Sequence, residues 1–202
     1  MRFKPRGYKL ALIVLSLFAL ISHSTKFRRI TATVGILLSS FILWFHRNPS
    51  RAVNNQGSYI SPVDGKVQRI ERSEEEIQIS IYLGLTDVHT VRSMSSTTVE
   101  SVNRKSGGNY PALLKNLSEK NNSLNYKFEN GDSVSVFTGF LARRLINETK
   151  AGRSIEAGEE IGFISFGSRC VINISKDNID SVEVCEGDTV RSGESVIGIK
   201  DY

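Results

Sequence analysis

Apolar positions are spread unevenly along the chain. Two continuous runs, residues 10–22 ("LALIVLSLFALIS") and 30–45 ("ITATVGILLSSFILWF"), flank the polar segment "HSTKFRR". As helices they would be roughly 20 and 24 Å long at about 1.5 Å per residue, against a hydrocarbon core of roughly 30 Å. That is short for spanning, and borrowed flanking residues or local thinning would make up the difference. The pattern predicts a helical hairpin, spanning or dipping into one leaflet, that returns the chain to its starting side. A secretory signal peptide fits less well, because a second run follows and no small-x-small cleavage site is present.

After the polar hinge "NPSRAVNNQGS" the pattern changes to short alternating or β-branched runs. "GKVQRIE", "EIQISIYL", "TTVESVN", "NYKFEN", "SVSVFTGF" and "IGFISF" read as strands, and residues 110–119, with Pro111 near the first turn, as one helix. The segments "AGRSIEAGEEIGFI" and "VCEGDTVRSGESVIGI" repeat one design: a charged turn, a small-Gly-Glu step, and a strand ending in Gly-hydrophobic. Two such hairpins predict a small pseudo-repeated β-sandwich or barrel. The expected fold class is α+β, mostly β. A membrane-associated hairpin and hinge would occupy residues 1–56, and the β-rich domain residues 57–202.

Charge sharpens that division. Residues 1–56 carry nine Lys/Arg and no Asp or Glu, which leaves seventeen basic against twenty-one acidic residues in the rest. A mildly acidic body argues against nucleic-acid binding. Cationic residues on both flanks of the hairpin favour a cytoplasmic body on the cell (inner) membrane, although Lys26, Arg28 and Arg29 in the bend oppose a full double span. The two cysteines, Cys170 and Cys185, match no metal spacing, and Cys170 reads as an inert core thiol.

One apolar run contains a break. In "EEIGFISFGSRCVINIS" (159–175), Gly167-Ser168 interrupts what otherwise reads as a buried strand. His89 follows a strand beside Asp87, and Asp64 lies in the turn "SPVDG". Taken singly, each is an ordinary turn or core residue. Together they form a nucleophile, a base and an orienting acid.

Five segments in order resemble the phosphatidylserine decarboxylase family in its short, archaetidylserine-decarboxylase-like form, a pyruvoyl-dependent proenzyme family. "WFHRNPSR" resembles its membrane-proximal motif, with Asn48 where Asp is usual. "SPVDGKV" is similar to its Pro-x-Asp-Gly segment, and "TDVHTVR" to its Asp-Val-His-x-Asn-Arg segment, with Val91 replacing Asn. "FTGFLARRLI" resembles its Gly-x-Ala-Arg-Arg strand, and "AGEEIGFISFGSR" the segment the family cuts between Gly and Ser. Met94 stands where Pro is usual, and an expected Asn-Glu pair is present only as "KNNSLN".

The resemblance implies a decarboxylase (a carboxy-lyase) that converts a membrane serine phospholipid such as phosphatidylserine to the ethanolamine lipid. Its cofactor would be a pyruvoyl group made from Ser168, without metal or pyridoxal phosphate, acting through an imine with the substrate amine. Loss of carbon dioxide leaves a carbanion, and the ketone next to an amide is the electron sink it needs. By the same resemblance, His89 takes the Ser168 proton, Asp64 holds the imidazole, and the hydroxyl attacks the Gly167 carbonyl. A β chain (1–167) and an α chain (168–202) would remain associated, with homo-oligomerisation open. Arg92, Arg143 and Arg144 are candidate substrate contacts, with structural ion pairing an equal alternative for the last two; Glu159 and Glu160 read as solvated turn charges. Two other readings stay open: a non-catalytic, membrane-anchored lipoyl-like adaptor, and an inactive homologue. A serine hydrolase would need a Gly-x-Ser-x-Gly elbow, which the chain lacks.

Overall fold

The computed structural model describes residues 2–24, 26–53, 58–108, 110–111, 120–140, 144–164 and 168–200. The chain forms two compact units, Met1–Ser50 and Arg51–Tyr202.

In the first unit, β1 (Arg2–Phe3) leads into α1 (Pro5–Ser24), α2 (Arg28–Phe45) follows, and β2 (Arg47–Asn48) pairs antiparallel with β1. The helices are longer than the apolar runs because flanking residues join them, Pro5 standing in the first turn where a missing N–H is tolerated. At about 1.5 Å per residue they measure roughly 30 and 27 Å, and both are long and apolar enough to cross a membrane. Gly35 of α2 lies against Phe18 of α1, and Ser39 Oγ donates to the Ala11 carbonyl (3.1 Å). Away from this seam the apolar side chains face outward; Leu20 is 74% exposed. Lys4 N–H donates to the His46 carbonyl (3.0 Å), so the hairpin brings the chain back to where it began.

The second unit is almost entirely β. Its strands are β3 (Ser58–Ile60), β4 (Gly65–Arg72), β5 (Glu76–Leu83), β6 (Thr90–Arg92), β7 (Thr97–Lys105), β8 (Ser123–Phe128), β9 (Ser133–Phe137), β10 (Leu145–Asn147), β11 (Ser154–Ile155), β12 (Glu160–Ile164), β13 (Ser168–Ser175), β14 (Ser181–Val182), β15 (Thr189–Val190) and β16 (Val196–Ile199). An eight-stranded sheet has the order β11-β7-β8-β9-β13-β5-β4-β15, and two three-stranded sheets have the orders β10-β12-β6 and β14-β16-β3. The sheets are open, and all named pairings are antiparallel. Tyr110 and Pro111 are not helical, and the rest of the expected helix lies outside the described residues.

The sheet order is a palindrome about the β9–β13 pair, and the hydrogen bonds repeat with it. Val190 pairs with Gly65 as Ile155 pairs with Thr97, and a bulge follows Val67 as one follows Val99. Gly187 N–H donates to Val67 O as Gly152 N–H does to Val99 O (both 2.8 Å), and Gly193 to Ser61 as Gly158 to Ser93 (both 2.9 Å). Gly158 and Gly193 have φ of 77° and 78°, the left-handed conformation both turns require. Ile60 N–H to Met94 O (3.0 Å) and Arg92 N–H to Pro62 O (2.9 Å) join the halves reciprocally. One half, β6 to β12, is continuous in sequence. It is inserted into the other half between β5 and β13. The repeat seen in the turn segments is therefore the visible part of a two-fold body.

The core lies between the sheets. Val91 and Met94, which depart from the family pattern, are fully buried in it, as are Ile79, Ile81, Phe128, Cys170 and Ile172.

Candidate active site

Strand register brings the chemical residues to one end of the eight-stranded sheet. Gly65 opens β4 opposite Val190, Lys66 pairs with Tyr82, and Leu83 pairs with Ser168. Asp64, the loop after β5, Ser168 and Ser192 therefore share that end. Phe137 and Ser123 close it on the other half, through Arg169↔Phe137 and Ser123↔Phe137.

Side chains alternate along a strand. Ser168 has the parity of Cys170, Ile172 and Ile174, which all point into the core, whereas Asn173 is partly exposed on the opposite face. Ser168 is fully buried, and its Oγ has no hydrogen-bond partner among the described residues. Gly167, the other side of the expected cleavage site, lies outside the described residues, as does Arg143.

The loop after β5 is built to hold an imidazole. Gly84 N–H donates to Asp87 Oδ2 (2.7 Å), which folds the loop back on itself. The Asp87 carbonyl lies 2.8 Å from His89 Nδ1. A carbonyl can only accept, so Nδ1 carries a proton, and Nε2 is the ring nitrogen left to act as a base. His89 is fully buried, and its own carbonyl accepts Ile164 N–H (2.9 Å) from β12.

Asp64 is held differently from the expectation that it orients His89. Its carboxylate accepts both Arg51 Nη2 contacts (2.7 and 2.9 Å) and the Ser192 N–H (2.8 Å). Arg51 also donates to Glu194 (3.2 Å). The Arg51 and Asp64 side chains are only 9% and 13% exposed, so the pair is largely desolvated.

Arg92 belongs to the same network. Its guanidinium donates to the Gly158 carbonyl (2.9 Å) and faces Glu160 (3.5 Å). Burial pushes its pKa below the ordinary arginine value; Glu160 opposes that shift, Arg51 adds to it, and Asp64 and Glu194 oppose it. Glu160 is thus paired rather than a solvated turn charge. So is Glu159, which accepts from Arg153 and from the Glu156 N–H (3.1 Å). Arg144 is exposed. Cys170 is buried in the core, with its thiol pKa raised by desolvation, and Cys185 is exposed.

Sequence reasoning missed Arg51, Ser192 and Glu194 as members of the site. In the sequence Arg51 belongs to the hinge and "SGES" to the repeated turn chemistry, and the position of Asp87 does not reveal that its carbonyl sets the tautomer. The short separation of Arg51 from Asp64 is the one local signal.

A sequence model of the family described as phosphatidylserine decarboxylase matches residues 38–198. An archaetidylserine decarboxylase proenzyme of Halobacterium salinarum is 35% identical over 168 residues, covering 81% of this chain and 83% of that protein. A phosphatidylserine decarboxylase proenzyme of Amoebophilus asiaticus is 36% identical over 203 residues, covering 93% and 89%. A second archaetidylserine decarboxylase proenzyme, from Methanosarcina acetivorans, is 35% identical over 189 residues, covering 90% and 88%. No solved structure matches the chain significantly.

Proposed function

The chain belongs to the phosphatidylserine decarboxylase family, and from that premise we propose that it is a self-processing decarboxylase of a membrane serine phospholipid, cut between Gly167 and Ser168. Ser168 carries the reading. A buried hydroxyl without a partner costs about 1–3 kcal/mol, and Ser168 Oγ is such a group at the inner end of a core strand. Folding alone gives no reason for it, whereas a side chain destined to be consumed does not need a permanent partner.

In the proposed processing, His89 Nε2 accepts the Ser168 hydroxyl proton and Oγ attacks the Gly167 carbonyl. The peptide C–N bond breaks and an ester forms. Elimination then releases Gly167 as a carboxylate and leaves dehydroalanine at position 168, and water converts this to pyruvoyl with loss of ammonia. Ser168 is fully buried at the start of β13, which limits the access of bulk water to the group formed there. The pyruvoyl carbonyl would supply the electron sink for decarboxylation. His89, fixed by Asp87, would also return a proton to the substrate carbon. Asp64 contributes negative charge at this end, through its bonds to Arg51 and Ser192 rather than by a bond to the ring. Arg92, held by Gly158 and Glu160, is a candidate substrate contact, and Arg144 and Arg143 are candidates for the lipid phosphate.

The apolar hairpin, basic at both of its ends, would keep the enzyme at the inner membrane with the body on the cytoplasmic face. A serine phospholipid is the substrate class proposed.

Intact mass of the purified wild-type protein tests this reading. Two fragments, residues 1–167 and 168–202, are expected, the smaller with a blocked amino terminus. A chain that stays whole on incubation would overturn it. Ser168→Ala should remain uncut, and His89→Ala should slow cutting by about 10²- to 10⁴-fold, the usual contribution of a general base.

A further inference from the structure

The end of the sheet that carries Asp64, His89 and Ser168 also exposes large apolar side chains. Phe140, just beyond β9, is 69% exposed; Leu85, in the loop that holds His89, is 47%; and Tyr110, beyond β7, is 42%. Scattered single apolar residues are normal on a surface. Here three stand on loops at one end of the strands, and those loops are tied down.

Asn121 is fully buried and bonds Tyr110 on both backbone sides, accepting its N–H (2.6 Å) and donating to its carbonyl (2.8 Å). The same amide donates to the Thr138 carbonyl (2.6 Å), and Thr138 N–H donates to Asn122 O (3.0 Å). The loops bearing Tyr110 and Phe140 are thereby joined into one platform. The Asp87–Gly84 bond does the same for Leu85. Backbone polar groups are satisfied inside, and apolar tips are held outside.

Charge follows the same axis. Lys105, Lys120 and Arg144 are exposed at this end, whereas acidic side chains outnumber basic ones at the opposite end, where Glu74, Glu75, Glu76, Glu129 and Asp177 are exposed beside Arg72, Lys127 and Lys176. Anionic lipid surfaces attract such cations within about a Debye length, and they attract the opposite end, with its excess of acidic side chains, less.

We propose that this end of the body is itself a docking surface for an anionic phospholipid bilayer. Leu85, Tyr110 and Phe140 enter the interface, and Lys105, Lys120 and Arg144 lie against the headgroups. The proposal rests on the reading of this end as the catalytic one. A two-chain lipid does not leave the bilayer readily, so its headgroup reaches buried Ser168 only if the rim of the site meets the membrane.

The test uses full-length protein carrying Cys185→Ser, with single cysteines placed at Leu85, Phe140 or, at the opposite end, Glu75. Each is labelled with an environment-sensitive fluorophore and reconstituted into phosphatidylserine–phosphatidylcholine vesicles, with or without brominated acyl chains. Blue-shifted emission and bromine quenching at positions 85 and 140, and neither at 75, is the expected result. Equal emission and equal quenching at all three positions would overturn the proposal. In a second arm, Tyr110→Asp with Phe140→Asp, both outside the loop that holds His89, should raise KM for bilayer substrate by about tenfold or more. It should leave kcat, and turnover of a soluble short-chain phosphatidylserine, unchanged; equal losses on both substrates would also count against docking. Absence of chain cleavage would instead count against the proposed function, and the fluorescence arm would still decide the surface.

Discussion

Asp64 and Ser96 occupy equivalent places in the two halves of the body. Each accepts a backbone amide from the turn that follows a short strand: Ser192 N–H in one half (2.8 Å) and Ala157 N–H in the other (3.1 Å). A hydroxyl is therefore enough to hold the turn. What Asp64 adds is a charge, and Arg51 is its partner. Asp64→Ser should keep the turn bond but leave Arg51 short of a counter-charge, at a cost of about 3 kcal/mol for breaking a largely buried pair. Arg51→Met combined with Asp64→Ser should recover most of that in urea unfolding, because the buried charge goes too. If the double variant is no more stable than the single one, the ion pair is not what makes the single variant weak. The double variant should still fail to cut itself if the Asp64 charge serves proton transfer, which separates folding from chemistry. The thiols give a simpler check. Cys185 should react with a thiol reagent in the native protein, whereas Cys170, buried and with its pKa raised, should react only on unfolding.

At the scale of elements, close approach decides the helical hairpin. A side chain at Gly35 would collide with Phe18, so the helices touch there only because Gly has no Cβ. Cysteines placed at Ala11 and Ser39 should form a disulfide in a Cys185→Ser background, since Ser39 Oγ reaches the Ala11 carbonyl. Gly35→Leu should largely abolish that cross-link; unchanged cross-linking would mean that the seam does not depend on the glycine. The long strands were legible in the sequence because their own alternation specifies them: "EIQISIYL" is β5 residue for residue. Strands such as β6 and β11, two or three residues long, carry no periodicity and exist only through partners distant in sequence. Similarly, Asp64, His89 and Ser168 could be named from local motifs, but the bond of Asp64 to Arg51 and that of His89 to a backbone carbonyl could not. Those depend on which loop the fold brings alongside.

At the scale of the molecule, the expected cut falls at the junction between the two halves. Where β8 turns directly into β9 through residues 129–132, the equivalent β5 and β13 are separated by the whole inserted half, which returns to the sheet at the Leu83–Ser168 pair. Opening the chain there removes no strand: β13 stays between β5 and β9, and β15 and β16 stay paired with β4 and β3. Ile172, Ile174, Val190 and Ile197 of the C-terminal piece are buried in the common core. Asp132 adds a polar tie between the pieces. Fully buried, it accepts the Tyr59 hydroxyl (2.7 Å) and Asn130 Nδ2 (2.6 Å) from one side of the cut, and Ser175 N–H and Asn178 Nδ2 (both 3.0 Å) from the other. The two chains should therefore elute together after cleavage and separate only in denaturant. Asp132→Ala would take its acceptor from the buried Tyr59 hydroxyl, at about 1–3 kcal/mol, and would remove the tie to Ser175 and Asn178, which are half-buried and can turn to water. It should lower the urea midpoint for separation markedly, whereas Tyr59→Phe, which removes one donor cleanly, should cost about 1 kcal/mol. Size-exclusion chromatography of the cleaved proteins across a urea series reads both. A small chain that leaves the large one without denaturant would show that interleaved strands and the Asp132 tie do not hold the pieces together.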